Sequence, residues 1–417
     1  MLQAMLAGVA SIKAQQTRMN VIGNNLANVN TTAYKGSRIT FQDMLAQTIR
    51  GATRPTTNLG GTNAIQFGLG VLVAGTDTNS EQGSLNATNR PTDFAIQGNG
   101  LFVVGNGARL AYTRDGAFDL DANGDIVHRA TGERMLGWTA DKATGNIDIS
   151  QPISPNSAIN IPIGARTAVQ ATTNITWAGN LDAREFNNAG TAVSNAIVKV
   201  FDDLGGEHDL QLTITESATP NEWTWTVTGL TGETVTGSGT LVYDPTSGQL
   251  LSGALGSITI TPPVGSGVPA FTSDVDFTGV SQLATDAQIQ ASSQNGVAPG
   301  SLSAFSVNTD GIITGLFTNG LTKNIGQIAL AIFANPNGLE RTGSNLWRNT
   351  DNSGLPVLGQ ARTGGRGLIN AGFLEQSNVD IGNEFTDLIV TQRGFQANTK
   401  VVTTVDEMLQ DLINMKR

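Results

Sequence analysis

The chain has 417 residues, 34 acidic against 24 basic side chains for a net charge of −10, 50 glycines and no cysteine. Disulfides, thiolate metal sites and a cysteine nucleophile are thereby excluded, and two histidines, His128 and His208, are too few for a multi-histidine centre. Hydrophobic residues make up 39% and charged ones only 14%, the composition of a folded, β-rich chain with uncharged polar surfaces, long enough for two or three domains.

The first element is an amphipathic helix. Leu2, Leu6, Val9, Ile12, Met19, Ile22, Leu26 and Val29 recur mostly at gaps of three and four, a stripe of near-heptad period. Asn20, Asn24 and Asn28 form a polar ladder beside it. Amides buried in a helical seam fix register at some cost in stability, and we read the ladder that way, with the helix ending around residues 30–32. Lys13, Gln15, Gln16 and Arg18 interrupt the apolar run and no basic leader precedes it, so a cleavable signal peptide is not expected. No window approaches the roughly 18 apolar residues of a membrane span, and no membrane insertion is expected.

Residues 31–75, rich in Gly, Thr and Asn, read as a connector. From there the texture is β. The turn signals Asn106-Gly107, Asp115-Gly116, Asn123-Gly124 and Thr131-Gly132 separate short runs such as LFVV and DIVH, the pattern of a meander. Residues 76–155 and 285–360 are assigned to one β domain, and residues 156–284 to a second, inserted one, where EWTWTV and GTLVYD alternate most clearly. The insertion is acidic: twelve acids and three bases fall between Ile159 and Ala284, which argues against a nucleic-acid partner.

Residues 361–378 read as a second connector, and residues 379–417 as a second amphipathic helix. Its stripe is Phe385, Leu388, Phe395, Val402, Val405, Leu409 and Leu412, with Asn378 and Asp380 where an N-cap belongs. An isolated helix is marginal in water, so two apolar stripes at opposite ends of a chain suggest that the ends meet. The fold class expected is mixed and mainly β, with paired N- and C-terminal helices forming a coiled-coil-like inner domain and two β domains inserted between them.

Candidates for chemistry are weak. DLDANGDIVHRA (119–130) places Asp119, Asp121, Asn123 and Gly124 at EF-hand positions, but Ala130 stands where a bidentate Glu is required. A hairpin turn explains the same residues. QGNGLFVVG has Val103 in place of the third glycine of a dinucleotide loop, and TGGRGL (363–368) lacks the Lys-Ser/Thr of a phosphate loop. Asp202, Asp203, Asp274 and Asp276 read as solvent-facing acids rather than a glycosidase pair. No catalytic residue, cofactor or metal is assigned, and an enzyme is not expected.

NVIGNNLANVNTTAYKGSR near the start closely resembles the N-terminal signature of the rod and hook subunits of the bacterial flagellum. GFLEQSNVDIGNEFTDLIVTQRGFQANTKVVTTVDEMLQDLI resembles the matching C-terminal signature, and PTDFAIQGNGLFVV with YTRDGAFDLDANGDIV is similar to the family's β domain. The insertion of about 125 residues resembles the layout of the family's hook branch more than its shorter rod branch. The resemblance implies a structural subunit whose terminal helices, through the eighteen stripe and ladder residues named above, assemble into the inner tube of a helical homopolymer. It implies a curved universal joint between rod and filament that transmits motor torque. It also implies export through the flagellar apparatus without signal cleavage, an extracellular place in the hook, and contacts with a distal rod protein, a hook cap protein and a hook–filament junction protein. A distal rod subunit and, from another class, a secreted polysaccharide-active enzyme are the alternative readings.

Overall fold

A computed structural model describes residues 2–55, 60–141, 144–164, 166–184, 192–263, 265 and 267–415. Two helices flank the fold, α1 (Leu2–Ala27) and α2 (Ile381–Asn414), which pack against each other, and among the described residues the rest of the regular structure is strand apart from one short 3-10 turn. Gly8 lies against Val402, Asn398 donates to Ser11, Gln15 sits beside Gly394, Arg18 pairs with Asp387 and Asn25 with Glu384. Rising numbers on α1 meet falling numbers on α2, so the pair is antiparallel. At 1.5 Å per residue the 26 residues of α1 span ~39 Å and the 34 of α2 ~51 Å, so α2 overhangs the start of α1.

Each helix has a local cause for its boundary. Asp380 caps α2, its carboxylate accepting from the backbone N–H of Gly382 (2.7 Å) and Asn383 (3.1 Å). The expected alternative cap, Asn378, instead accepts from Gly36 N–H and donates to the carbonyls of Asn79 and Glu81. α1 stops at Ala27, earlier than the run to residues 30–32 read from the sequence. Asn28 donates to the Asn24 carbonyl and side chain, Thr31 donates to Asn28, and the chain passes through Ala33 at φ +54°. Asn and Thr hold a helix poorly because their side chains offer the backbone local bonds of this kind.

The segments read as connectors contain strands. Ser37–Asp43 pairs with Val71–Thr78, and Ala46–Arg50 with Ile65–Gly68. Leu85–Ala87 pairs with Phe373–Glu375 and Phe94–Gln97 with Leu368–Ala371, so the two halves of the chain are stitched together beside the helices. Farther along, a nine-stranded and a five-stranded sheet cover a core of Phe94, Ile96, Phe102, Phe118, Ile126, Ile313, Ile328 and Leu330. Here too the halves meet, because Leu330–Ile332 pairs with Leu101–Gly105. Ile159 and Ile161 belong to this core and not to the insertion, whose expected bounds of 156–284 include them.

Between Asn174 and Gln294 two five-stranded sheets close over Trp177, Trp223, Trp225, Tyr243 and Phe277. Burial alternates strictly along Glu207–Glu216, and along Glu222–Gly229 it sends Trp223, Trp225 and Val227 inward. EWTWTV is therefore a core strand of a sandwich.

The turn at 119–130 is a hairpin. The Asp121 carboxylate accepts from the backbone of Asn123 (2.9 Å) and Asp125 (2.8 Å), while Asp119 pairs with Arg90 and Arg129. Gly107, Gly124 and Gly132 take φ of +85°, +86° and +71°, as their turns require. Gly116 is needed for space instead: a Cβ there would lie 1.5 Å from the Phe94 carbonyl oxygen, and the Phe94 N–H donates to Gly116 O at 3.0 Å. Gly116→Ala is expected to destabilise the chain by about 3 kcal/mol or more, because backbone must move to admit the methyl. Urea unfolding measures it, and a change below about 0.5 kcal/mol would refute the close approach.

Candidate assembly interface

The helices meet through an uneven seam. On α1 it comprises Gly8, Ser11, Gln15, Arg18, Ile22 and Asn25, alternating gaps of three and four, and most of these are small or polar. On α2 the covered positions are Glu384, Leu388, Thr391, Gly394, Phe395, Asn398, Val402, Val405 and Leu409. Gly8 permits the approach: a Cβ there would stand 3.1 Å from Val402 Cγ2. The α2 stripe read from the sequence thus lies largely in the seam at Leu388, Phe395, Val402, Val405 and Leu409, whereas Phe385 and Leu412 are exposed.

The α1 stripe lies mostly off the seam. Ile22 is buried, and Ile12, Met19, Leu26, Asn28 and Val29 are half-buried. Leu6 and Val9 are 56% and 50% exposed, and Asn20 and Asn24 face out. Leu2 opens the helix, with its side chain outside the described residues. Asn24 and Asn28 bond to each other and Asn24 to Tyr34; the amide that crosses to α2 is Asn25, which is not part of the ladder read from the sequence.

Asn25 is 2% exposed and satisfied on every side. Its Nδ2 donates to Ser37 O (2.8 Å) and Glu384 Oε1 (2.9 Å), and its Oδ1 accepts from Ser37 N–H (3.0 Å) and Tyr34 Oη (3.2 Å). One amide thereby joins α1, the strand that follows it and the first turn of α2. Burial pushes the Glu384 carboxyl up from its ordinary range, the Asn25 bond opposing the shift and nearby Asp387 adding to it.

One layer farther out, Glu375 is wholly buried between Lys35 Nζ and Arg114 Nε, both at 2.6 Å, and also accepts from Gly83 N–H. Lys35 donates its other bond to Glu81 O, and Arg114 reaches the carbonyls of Ile96, Gly98 and Gly100. Arg341 bonds the Lys35 carbonyl and stacks over Tyr34 and Trp347, 5.2 and 4.7 Å from their ring centroids. Burial pulls Lys35 below its ordinary range, offset in part by Glu375. For Glu375 burial pushes up, but the charges and bonds of Arg114 and Lys35 outweigh it and hold the carboxyl below its ordinary range. None of these residues was singled out from the sequence. Their available signal was their rarity, lone charges inside apolar or glycine-rich stretches such as AYKGS and GFLEQ.

A cleft of about 380 Å³ opens beside this triad, walled by Leu101, Phe333, Leu339 and Trp347. Among the described residues its lining includes no histidine or carboxylate, and the two cations at its floor, Lys35 and Arg114, are already bonded. The arrangement fastens segments together; it does not present a nucleophile beside a base.

Comparison with known proteins covers nearly the whole chain. The family described as "Flagella basal body rod protein" matches residues 5–35, and "Flagellar hook protein FlgE/F/G D1 domain" matches 95–180. "Flagellar basal body protein FlaE D2 domain" matches 176–297, and "Flagellar basal body rod FlgEFG protein C-terminal" 370–415. The chain is 36% identical to proteins named flagellar hook protein FlgE from Borreliella burgdorferi and Treponema pallidum, over 444 and 464 aligned positions and 100% of each chain. It is 32% identical to that of Escherichia coli K12, over 98% of both chains.

Glu375→Gln leaves Lys35 and Arg114 buried without their anion, and a loss of about 3–5 kcal/mol at neutral pH is expected. Because the folded-state carboxyl is lowered, its contribution is complete above the unfolded value of 4.5 and vanishes as pH falls through the folded value. The gap between native and variant should therefore close in acid, below that value. Denaturant unfolding across pH measures it, and a gap that did not change with acid would overturn the assignment.

Proposed function

The chain belongs to the flagellar hook protein family, and from that premise we propose that it polymerises as a hook subunit, its helices packing with those of neighbouring copies into the wall of a tube. The observation that carries this reading is what pairing leaves uncovered. With α1 and α2 already packed, Leu6, Val9, Phe385, Ile389, Val390 and Val401 remain 45–56% exposed. Fully burying one such side chain stabilises by roughly 1.5–3 kcal/mol. The seam has taken up α1's small and polar face and left much of its apolar face for other copies.

The neighbour-facing surface we assign to Leu6 and Val9 on α1 and to Phe385 and Leu412 on α2, with Asn20 and Asn24 at its polar margin. The hairpin beside α1 adds to it through Leu45, Ile49 and Phe67, 84%, 66% and 54% exposed. Contacts between unlike surfaces of successive copies do not close on themselves and so generate a helical filament. In this reading the sandwich forms an outer layer, and the tube is a curved joint that passes torque from rod to filament. A distal rod protein, a cap protein and a junction protein are its partners at the two ends and during assembly. Export proceeds without cleavage, which accords with an α1 built into the fold along α2. Relatives aligned over the whole length, sandwich included, bear the hook name, which favours a hook over a rod subunit.

Leu6→Ser with Val9→Ser is expected to leave the monomer's unfolding free energy within about 0.5 kcal/mol and to abolish tubes seen by electron microscopy under polymerising salt. Normal tubes from the double variant would overturn the interface. Excising the sandwich is expected to spare tube formation. Its two connections lie side by side, Ile175 pairing with Gln294 and the Asn295 side chain accepting from Thr173 and Asn174 N–H, so a short turn can join them. Loss of tubes from a folded excision variant would contradict the outer-layer placement.

A further inference from the structure

Six asparagines stand directly before a glycine: Asn99, Asn106, Asn123, Asn295, Asn319 and Asn337. Such a pair is chemically labile, because glycine has no side chain to shield its backbone nitrogen from the neighbouring carboxamide carbon. The attacking species is that nitrogen after loss of its proton. A hydrogen bond from the N–H to an acceptor favours the protonated form and so suppresses the attack.

The fold sorts the six into two classes. In four the glycine N–H is already spent: Gly124 donates to Asp121 O (3.0 Å), Gly296 to Gln294 Oε1 (2.6 Å), Gly320 to Phe317 O (3.0 Å) and Gly338 to Asn335 O (3.1 Å). Two of those asparagines are also fastened by their side chains. Asn295 accepts from Thr173 and Asn174 N–H and donates to Thr173 Oγ1, and Asn319 donates to the carbonyls of Ala168 and Ala298. Among the described residues Gly100 N–H and Gly107 N–H have no acceptor, and Asn99 and Asn106 are exposed.

Asn106 is primed further. Its Oδ1 accepts from Ala108 N–H and Arg109 N–H, both at 3.2 Å. These donors stand where negative charge develops on that oxygen as Cγ is attacked. We propose that Asn99 and Asn106 are deamidated spontaneously in the folded chain, whereas the other four Asn-Gly amides are kept.

The step balances with water alone. The glycine nitrogen gives its proton to solvent base and bonds to the asparagine Cγ; the Cγ–Nδ2 bond breaks and ammonia leaves, which closes a cyclic imide. Water then opens the imide at one of its two carbonyls and yields aspartate or isoaspartate, with nothing oxidised or reduced. At Asn106 the product is a carboxylate on an exposed turn. At Asn99 it falls between Gly98 and Gly100, whose carbonyls both accept from Arg114. An isoaspartyl link lengthens the backbone between those two acceptors and loosens the hold on Arg114, one of the two cations of Glu375.

The test is to incubate the full-length chain in mildly alkaline buffer, digest it and map each asparagine by mass spectrometry. Conversion is expected at Asn99 and Asn106 and not at the other four. In urea, where the hydrogen bonds of the fold are lost, all six should convert. A folded chain that kept either amide, or lost one of the other four as fast, would overturn the inference, as would protection of those four that persisted in urea. Asn106→Ser confines the reaction to Asn99, and that chain, once aged, should unfold at a lower urea concentration than when fresh. An unchanged midpoint would overturn the consequence for Arg114. No arm requires polymerisation, so the outcome is independent of the hook reading.

Discussion

A carboxylate with no access to water must find its counter-charges where it stands, and in this chain that requirement draws three distant segments to one point. Glu375 belongs to the return of the chain toward α2, Lys35 to the exit from α1, and Arg114 to the middle sheets. Neither cation can leave without stranding the anion, and their remaining donors are spent on backbone carbonyls. Such a triad adds little net stability over an apolar cluster of the same volume, but breaking it by one member is costly. It acts as a specification, so that the helices leave the β sheets at a defined place.

The helix pair extends the same logic with weaker bonds. Asn25 spends four hydrogen bonds on aligning α1 with α2 and with the strand beginning at Ser37. Beyond that amide the seam relies on close approach at Gly8 and on the Arg18–Asp387 pair, both modest in energy. A pair held in register yet thinly buried can hand its apolar surface to neighbours at small cost. That combination suits a subunit whose final packing is completed by other copies.

Much of this was legible in the residues. The heptad-like spacing marked both helices, Asp380 marked the start of the second, and the alternation in EWTWTV placed Trp223 and Trp225 in a core. The strands in the second connector were not legible, because Leu368–Ala371 and Phe373–Glu375 find their partners between 271 and 290 residues earlier in the chain and have no local pattern of their own. The α1 stripe is visible as a period of apolar residues, yet apolar periodicity does not say which partner a face meets. Gly8, Ser11 and Gln15 form the seam because small and polar side chains let α2 approach, a signal that hydrophobicity cannot carry. Asn25 was hidden among its neighbours in a run of asparagines, and only its surroundings single it out.

The stitching of the two chain halves also orders the folding reaction. One sheet of the sandwich is built from consecutive hairpins, whose loop-closure cost is small, so its strands can find each other early, while the other closes when Asn174–Asp182 meets strands about 100 residues farther on. The short strands beside the helices cannot pair until residues 368–375 are available, after most of the polypeptide has been made. The triad and the helix seam have to form later still, since each needs both ends. In a chain arranged this way the periphery can fold while the centre is still open, and the last contacts to form are those nearest the apolar surface that the helix pair leaves exposed.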